Sequence, residues 1–144
     1  MPIALIVDIV DDDAVVRETL ECYCRHVGYT VRLAADGVSA IEQCLADPPD
    51  ALLLDLELPK MHGLEVLRQV RRARPEVAVI IVSGALDGAT RETAARLGAR
   101  ACLQKPFKLE DLGILLARTL LISSAADTAA VWRHAPLPKE TALI

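Results

Sequence analysis

Apolar runs and amphipathic stretches alternate along this chain in five rounds. Residues 3 to 10, IALIVDIV, are apolar apart from Asp8 and stop abruptly at Asp11-Asp12-Asp13. A run apolar on both faces predicts a central strand of a parallel sheet. The period then changes: Val16, Leu20, Cys24 and Val27 fall on one face of a helix that Asp12 or Asp13 can cap and Gly28 can stop. Residues 29 to 34 alternate as a strand exposed on one side. Asp36-Gly37 turns the chain, and Val38, Ile41 and Leu45 give the next helix its stripe until Asp47-Pro48-Pro49-Asp50.

The pattern repeats twice more before a last round. A buried strand over 51 to 56 leads through Pro59 and Gly63 into a helix carrying Leu64, Leu67 and Val70, ended by Pro75. A fourth strand, 77 to 82, ends at Ser83-Gly84. The helix over 87 to 97 is alanine-rich, with Leu97 its only large apolar residue, so it is expected to be the least firmly anchored. A short strand over 100 to 104 precedes Lys105-Pro106-Phe107. The final helix carries Leu109, Leu112, Leu116 and Leu120, with Ile114 and Leu121 on a second face that suits a partner or the tail. Five strand-then-helix units predict an α/β fold with parallel strands and right-handed crossovers. After about residue 122 the pattern fails, so 1–121 reads as one domain and 122–144, with the lone Trp132, as a tail or linker start.

Composition narrows the class. The 144 residues are 53% hydrophobic and 25% charged, which fits a soluble globular domain and argues against disorder. Aromatics are only 3%, so the core must come from Leu, Val, Ile and Ala. A net charge of -4 leaves no overall basic footprint for nucleic acid, and the local run Arg68, Arg71, Arg72 and Arg74 reads as a solvated helix end. Cys22, Cys24, Cys44 and Cys102 form no CxxC pair and have no histidine cluster beside them, so neither a zinc site nor a disulfide framework is expected. No signal peptide and no membrane-length apolar run is evident, and a reducing cytoplasm is the expected compartment.

The chemistry collects at strand ends. Asp11 and Asp12 follow the first strand, Asp55 closes the third, Ser83 follows the fourth and Lys105 the fifth. A parallel sheet brings such ends to one edge, where ligands bind at the point of strand-order reversal. Carboxylates about 5 Å apart repel by about 3 kcal/mol per pair at an effective dielectric of 20. A hard divalent cation removes that cost, and Mg²⁺ takes one or two carboxylates while keeping waters and room for a phosphate oxygen. Lys105 adds a point charge for a phosphoryl group and Ser83 a hydroxyl donor. A central carboxylate so flanked can act as a nucleophile towards phosphorus. Taken singly, the residues have plainer readings: Asp11 to Asp13 as helix caps, Asp8 as a solvated or hydrogen-bonded strand residue, His62 as an exposed loop residue.

These motifs together resemble the receiver domain of bacterial response regulators over about residues 3 to 121. The acidic pair Asp11-Asp12 with Arg17 at its spacing, the stretch Leu54 to Gly63 around Asp55, Ser83-Gly84, and Lys105-Pro106-Phe107 occur in the family's order. The resemblance implies a flavodoxin-like receiver fold, a doubly wound five-stranded parallel sheet in the order 2-1-3-4-5. It implies phosphorylation of Asp55 by a histidine kinase or phosphotransfer partner, and self-catalysed dephosphorylation without steady enzymatic turnover. Mg²⁺, or Mn²⁺, would be held by Asp11, Asp12, Asp55 and the backbone carbonyl of Glu57. Ser83 and Lys105 would contact the phosphoryl group, and the Lys105–Pro106 bond would be cis.

One departure concerns output. The family carries a ring three residues before the lysine, and Cys102 stands at that switch position here. A thiol cannot fill the same space, so output is expected to rely on the Ser83–Gly84 loop and the weak helix after it. Two rival readings are a phosphorylation-independent pseudo-receiver, which Cys102 favours, and a Mg²⁺-dependent phosphohydrolase, against which the DxD-like Asp55-Leu56-Glu57 follows the third strand rather than the first. Downstream, the expected partner is another protein or an output domain outside this chain, with no direct nucleic-acid or membrane binding by the domain itself.

Overall fold

The computed structural model describes residues 4–121. Trp132 and the whole segment expected to be a tail or linker lie outside the described residues, as does Ile3 at the expected start of the first strand. Five strands and five helices alternate: β1 (Ile6–Val10), α1 (Ala14–His26), β2 (Thr30–Ala34), α2 (Gly37–Ala46), β3 (Ala51–Leu54), α3 (Gly63–Ala73), β4 (Ala78–Ser83), α4 (Gly88–Arg96), β5 (Ala101–Gln104) and α5 (Leu109–Leu121). All strand pairs are parallel and the sheet order is β2-β1-β3-β4-β5.

Alternation along each strand divides the core in two. Val7, Ile9, Leu53, Ile80 and Leu103 face one side, where they pack with Leu20 and Cys24 of α1 and Leu112, Leu115 and Leu116 of α5. Val10, Leu52, Leu54, Val79, Ile81 and Cys102 face the other, against Ala40, Ile41 and Cys44 of α2, Val66, Leu67 and Val70 of α3, and Ala94 of α4. Both faces of β3 and β4 are thus covered, which explains why their sequences run apolar without interruption.

Several expected helix faces are rotated or shortened. Val27 is exposed because α1 ends at His26, and Gly28 then reverses the chain at φ 107°. In α2 the small residues Ala40 and Cys44 lie against the sheet beside Ile41, while Val38 and Leu45 are exposed. Large side chains on that stripe would hold α2 away from α3. As expected, α4 buries only Ala94 within its helical span. Cys24, Cys44 and Cys102 are buried and only Cys22 is exposed.

Asp8 is buried among apolar neighbours and is hydrogen-bonded rather than solvated. Its register partner Arg32 on β2 grips both carboxylate oxygens, Nε to Oδ1 at 2.7 Å and a terminal nitrogen to Oδ2 at 3.0 Å. The same guanidinium binds the Asp47 carboxylate and backbone carbonyl at the end of α2. The bond from Asp8 raises the pKa of Arg32 and so keeps it charged.

Breaking one side of such a buried pair leaves an uncompensated charge, which costs about 3–5 kcal/mol. Arg32→Met is therefore expected to lose stability on that scale in urea unfolding, while Asp8→Leu combined with Arg32→Met recovers most of it. A loss below about 1 kcal/mol for Arg32→Met would mean that Asp8 finds water.

Candidate functional site

The backbone sets the site before any side chain does. Strand order reverses between β1 and β3, the topological switch point of this sheet. Asp11 and Asp55 each lie one residue beyond these two strands and are tied to the sheet by backbone bonds, Asp11 N–H to Ala34 O and Asp55 N–H to Val10 O. Ser83 is the last residue of β4, and Lys105, one residue after β5, donates its N–H to Ser83 O. Four strand ends thus present Asp11, Asp55, Ser83 and Lys105 on one edge, as the sequence pattern predicts.

One carboxylate oxygen from each of Asp11, Asp12 and Asp55 lies within 4.8 Å of the others. Asp11 and Asp55 are buried and Asp12 is exposed. Asp11 is held firmly: Oδ1 accepts from the Asp13 N–H at 2.9 Å, Oδ2 accepts from Lys105 Nζ at 2.6 Å, and its carbonyl accepts from Arg17 at 2.7 Å. Asp13 caps α1 by accepting from the amides of Val15 and Val16, so the acidic run divides its labour. Lys105 Nζ also stands 3.5 Å from Asp55 Oδ2, bridging the two buried carboxylates. The Lys105–Pro106 peptide is cis.

Burial is the strongest influence on Asp55 and raises its pKa, with the charge of Asp11 adding to it. Lys105, the Glu57 amide and the Ser83 hydroxyl pull downward without cancelling the rise. For Lys105, burial pulls its pKa down, but the bond to Asp11 and the charges of Asp11 and Asp55 outweigh it, and the net direction is upward. The ammonium stays charged while its carboxylate neighbour is held at an energetic disadvantage, a combination suited to a ligand that brings positive charge.

The loop after Asp55 approaches closely. Gly63 donates its N–H to Leu56 O at 2.8 Å, and a Cβ on Gly63 would lie 2.3 Å from the Asp55 carbonyl oxygen. Only glycine fits there, so the turn through Pro59 and Lys60 can fold under the end of β3. His62, exposed as expected, also caps α3, its Nδ1 accepting from the Leu64 N–H. Cys102 is buried on the α4 side of β5, opposite Ile81, and burial pushes its thiol up to about 12. It is an apolar core residue in this state.

Sequence reasoning overlooked Gln104, whose amide reaches Gly84 O at 2.9 Å and Lys105 O at 3.2 Å. A lone polar residue at a strand end gives no signal of its bonding partner. The contact of Arg17 with the Asp11 carbonyl is equally silent in sequence, where only the spacing of the two residues shows.

The donor set fits Mg²⁺. Three hard oxygen ligands converge, and the exposure of Asp12 leaves the site open to the waters that this ion retains. The raised pKa of Asp55 also has a sign for stability. The ionised form is disfavoured in the folded chain, so the cost is absent below the unfolded pKa, grows as pH rises from there towards the raised folded value, and is complete above it. With divalent ions chelated, Asp55→Asn is expected to raise the melting temperature at pH 7 and to leave it little changed at acid pH. A lower melting temperature at pH 7 would mean that the Lys105 contact outweighs burial.

Residues 7–117 match the family described as response regulator receiver domain. The response regulator MprA of Mycobacterium ulcerans is 41% identical over 128 residues, covering 85% of this chain and 55% of the relative. MprA of Mycobacterium leprae is 40% identical over 121 residues, covering 84% and 53%. Among solved structures, a CheY-like receiver domain protein from Methanospirillum hungatei aligns with a TM-score of 0.80 at 26% identity, covering 82% of this chain and 94% of that one. NtrX from Brucella abortus aligns at 0.79 and 28% identity, covering 89% of this chain but 30% of its own. The chain spans about half the length of the curated relatives it matches. With the sheet order, the acidic cluster and these matches in agreement, the chain belongs to the response regulator receiver domain family.

Proposed function

We propose that Asp55 is the phosphoacceptor of this signalling switch, with Ser83 and Lys105 as the groups that contact the phosphoryl. The observation that carries the reading is the Asp55 carboxylate itself, buried at the switch point between an acidic pair and the Lys105 ammonium. Asp11, Asp12, Asp55 and the backbone carbonyl of Glu57 would hold Mg²⁺, or Mn²⁺ in its place. When bound, the ion supplies positive charge that offsets carboxylate repulsion and the charge on the transferring group.

In the forward step a carboxylate oxygen of Asp55 attacks phosphorus. On a phosphohistidine donor, the bond from phosphorus to the imidazole nitrogen breaks, and the imidazole leaves with that electron pair and takes up a proton. An acyl phosphate on Asp55 results. Lys105, already 3.5 Å from Asp55 Oδ2, meets the new phosphoryl oxygens with little movement. In the hydrolytic step water attacks phosphorus, the bond from phosphorus to the Asp55 oxygen breaks, inorganic phosphate departs and the carboxylate is restored. A Cβ at Gly84 would meet nothing within 4 Å, so space beside the hydroxyl residue supports access of that water. The domain returns to its starting state after each cycle, which is the behaviour of a switch.

The donor is a sensor histidine kinase or a phosphotransfer protein. In this reading the receiver spans residues 1–121, residues 122–144 are a tail or the start of a linker, and the downstream partner is another protein or an output domain outside this chain. No helix among the described residues is long and apolar enough to cross a membrane, and the cytoplasm is the proposed compartment. With Cys102 at the switch position and α4 anchored by Ala94, the signal leaves through the β4–α4 loop and α4.

Incubation with acetyl phosphate and Mg²⁺ is expected to label the protein, and Asp55→Asn to abolish the label; persistent labelling of the variant would move the acceptor elsewhere. Phosphorylation is also expected to alter amide exchange across residues 84 to 100. Unchanged exchange there would remove the loop and α4 from the output path.

A further inference from the structure

The residue that sequence reasoning overlooked, Gln104, stands at the centre of a short chain of contacts. It is the register partner of Ser83, across the last rung between β4 and β5. Its side-chain nitrogen donates to Gly84 O at 2.9 Å and, more weakly, to Lys105 O at 3.2 Å. Gly84 O belongs to the same peptide unit as the Ala85 N–H. That N–H in turn donates to Ser83 Oγ at 3.2 Å.

A trans peptide is planar, with its carbonyl and N–H on opposite sides. Fixing the carbonyl therefore fixes the direction of the N–H. Once Ser83 Oγ accepts from Ala85, its own hydrogen is left to donate, and Ser83 closes β4 next to the end of β3 that carries Asp55. Apart from the packing of the following Leu86 on the core, little else restrains this peptide. Gly84 has no side chain, a Cβ there would touch nothing, and the helix that follows buries only Ala94. Cys102, on the same strand as Gln104, faces the core.

We infer that Gln104 is a positioning residue: its amide holds the Gly84–Ala85 peptide so that the Ala85 N–H fixes the Ser83 hydroxyl beside Asp55. The link to reaction rate rests on the reading of Asp55 as phosphoacceptor; the link to Ser83 does not. Gln104 is thus the polar tie between β5 and the start of the output path, at the strand end two residues beyond the buried thiol.

Gln104→Leu removes the donor at nearly constant volume, and Gln104→Glu keeps the length but presents an acceptor to the Gly84 carbonyl. In unphosphorylated protein, amide exchange at Ala85 is expected to quicken on the order of fivefold in both variants, the equivalent of one lost hydrogen bond, with Val79 to Val82 unaffected. The rate of labelling by acetyl phosphate should fall by a similar factor. In a Ser83→Ala background, Gln104→Leu should have no further effect on that rate, because the residue acts through the hydroxyl. Unchanged exchange at Ala85, or an equal slowing with and without Ser83, would overturn the proposal. Should Gln104→Leu fail to fold, Gln104→Glu carries the same comparison. Absence of labelling in the unsubstituted protein would overturn the phosphoacceptor reading instead, and the exchange measurement decides the positioning role independently.

Discussion

Three carboxylates, from Asp11, Asp12 and Asp55, meet within 4.8 Å at the carboxyl edge of the sheet. At such separations each pair repels by about 3 kcal/mol at an effective dielectric of 20. The fold tolerates this because Lys105 bridges Asp11 and Asp55, because backbone amides bond Asp11 and Asp55, and because Asp12 stays in water. The balance is incomplete: burial still raises the pKa of Asp55. That shortage of positive charge supports the proposed reading, in which a cation would be held here and Lys105 would meet the phosphoryl group.

The rest of the molecule serves to keep these groups in place. Parallel pairing carries four separate segments to one edge, and two apolar layers fix the sheet between its helices. The clamp of Arg32 on Asp8 and Asp47 ties β1, β2 and the end of α2 together, away from the site. Gly63 lets the loop after Asp55 fold against the end of β3. Rigidity is graded across the structure. The α2–α3 side is well filled, whereas α4 contributes one buried alanine. The part of the site next to α4, Ser83 and its loop, is accordingly where movement costs least.

Much of this is legible in the sequence. The strand-to-helix alternation depends on local periodicity, and the site depends on which residues follow each strand, so both survive without knowledge of packing. The helix faces are less legible. Val38 and Leu45 have the right spacing for a buried stripe in α2, but close approach to α3 selects Ala40 and Cys44 instead. Asp8 stands out as anomalous, yet its partner Arg32 lies on another strand and becomes visible only through register. Gln104 is silent for the same reason: its bond goes to the backbone of a neighbouring strand's loop, and a carbonyl carries no sequence signature. The departure at Cys102 is legible as a substitution, and the structure adds that the thiol is core rather than site.

An acidic cluster short of positive charge should bind a divalent cation, and the proposed site does so through Asp55. Calorimetric titration of the purified chain with Mg²⁺, beside the same titration of Asp55→Asn, tests it directly. One site is expected in the native protein, with an affinity at least about tenfold weaker in the variant, a loss of about 1.4 kcal/mol. Equal affinities, or no binding to either protein, would contradict it.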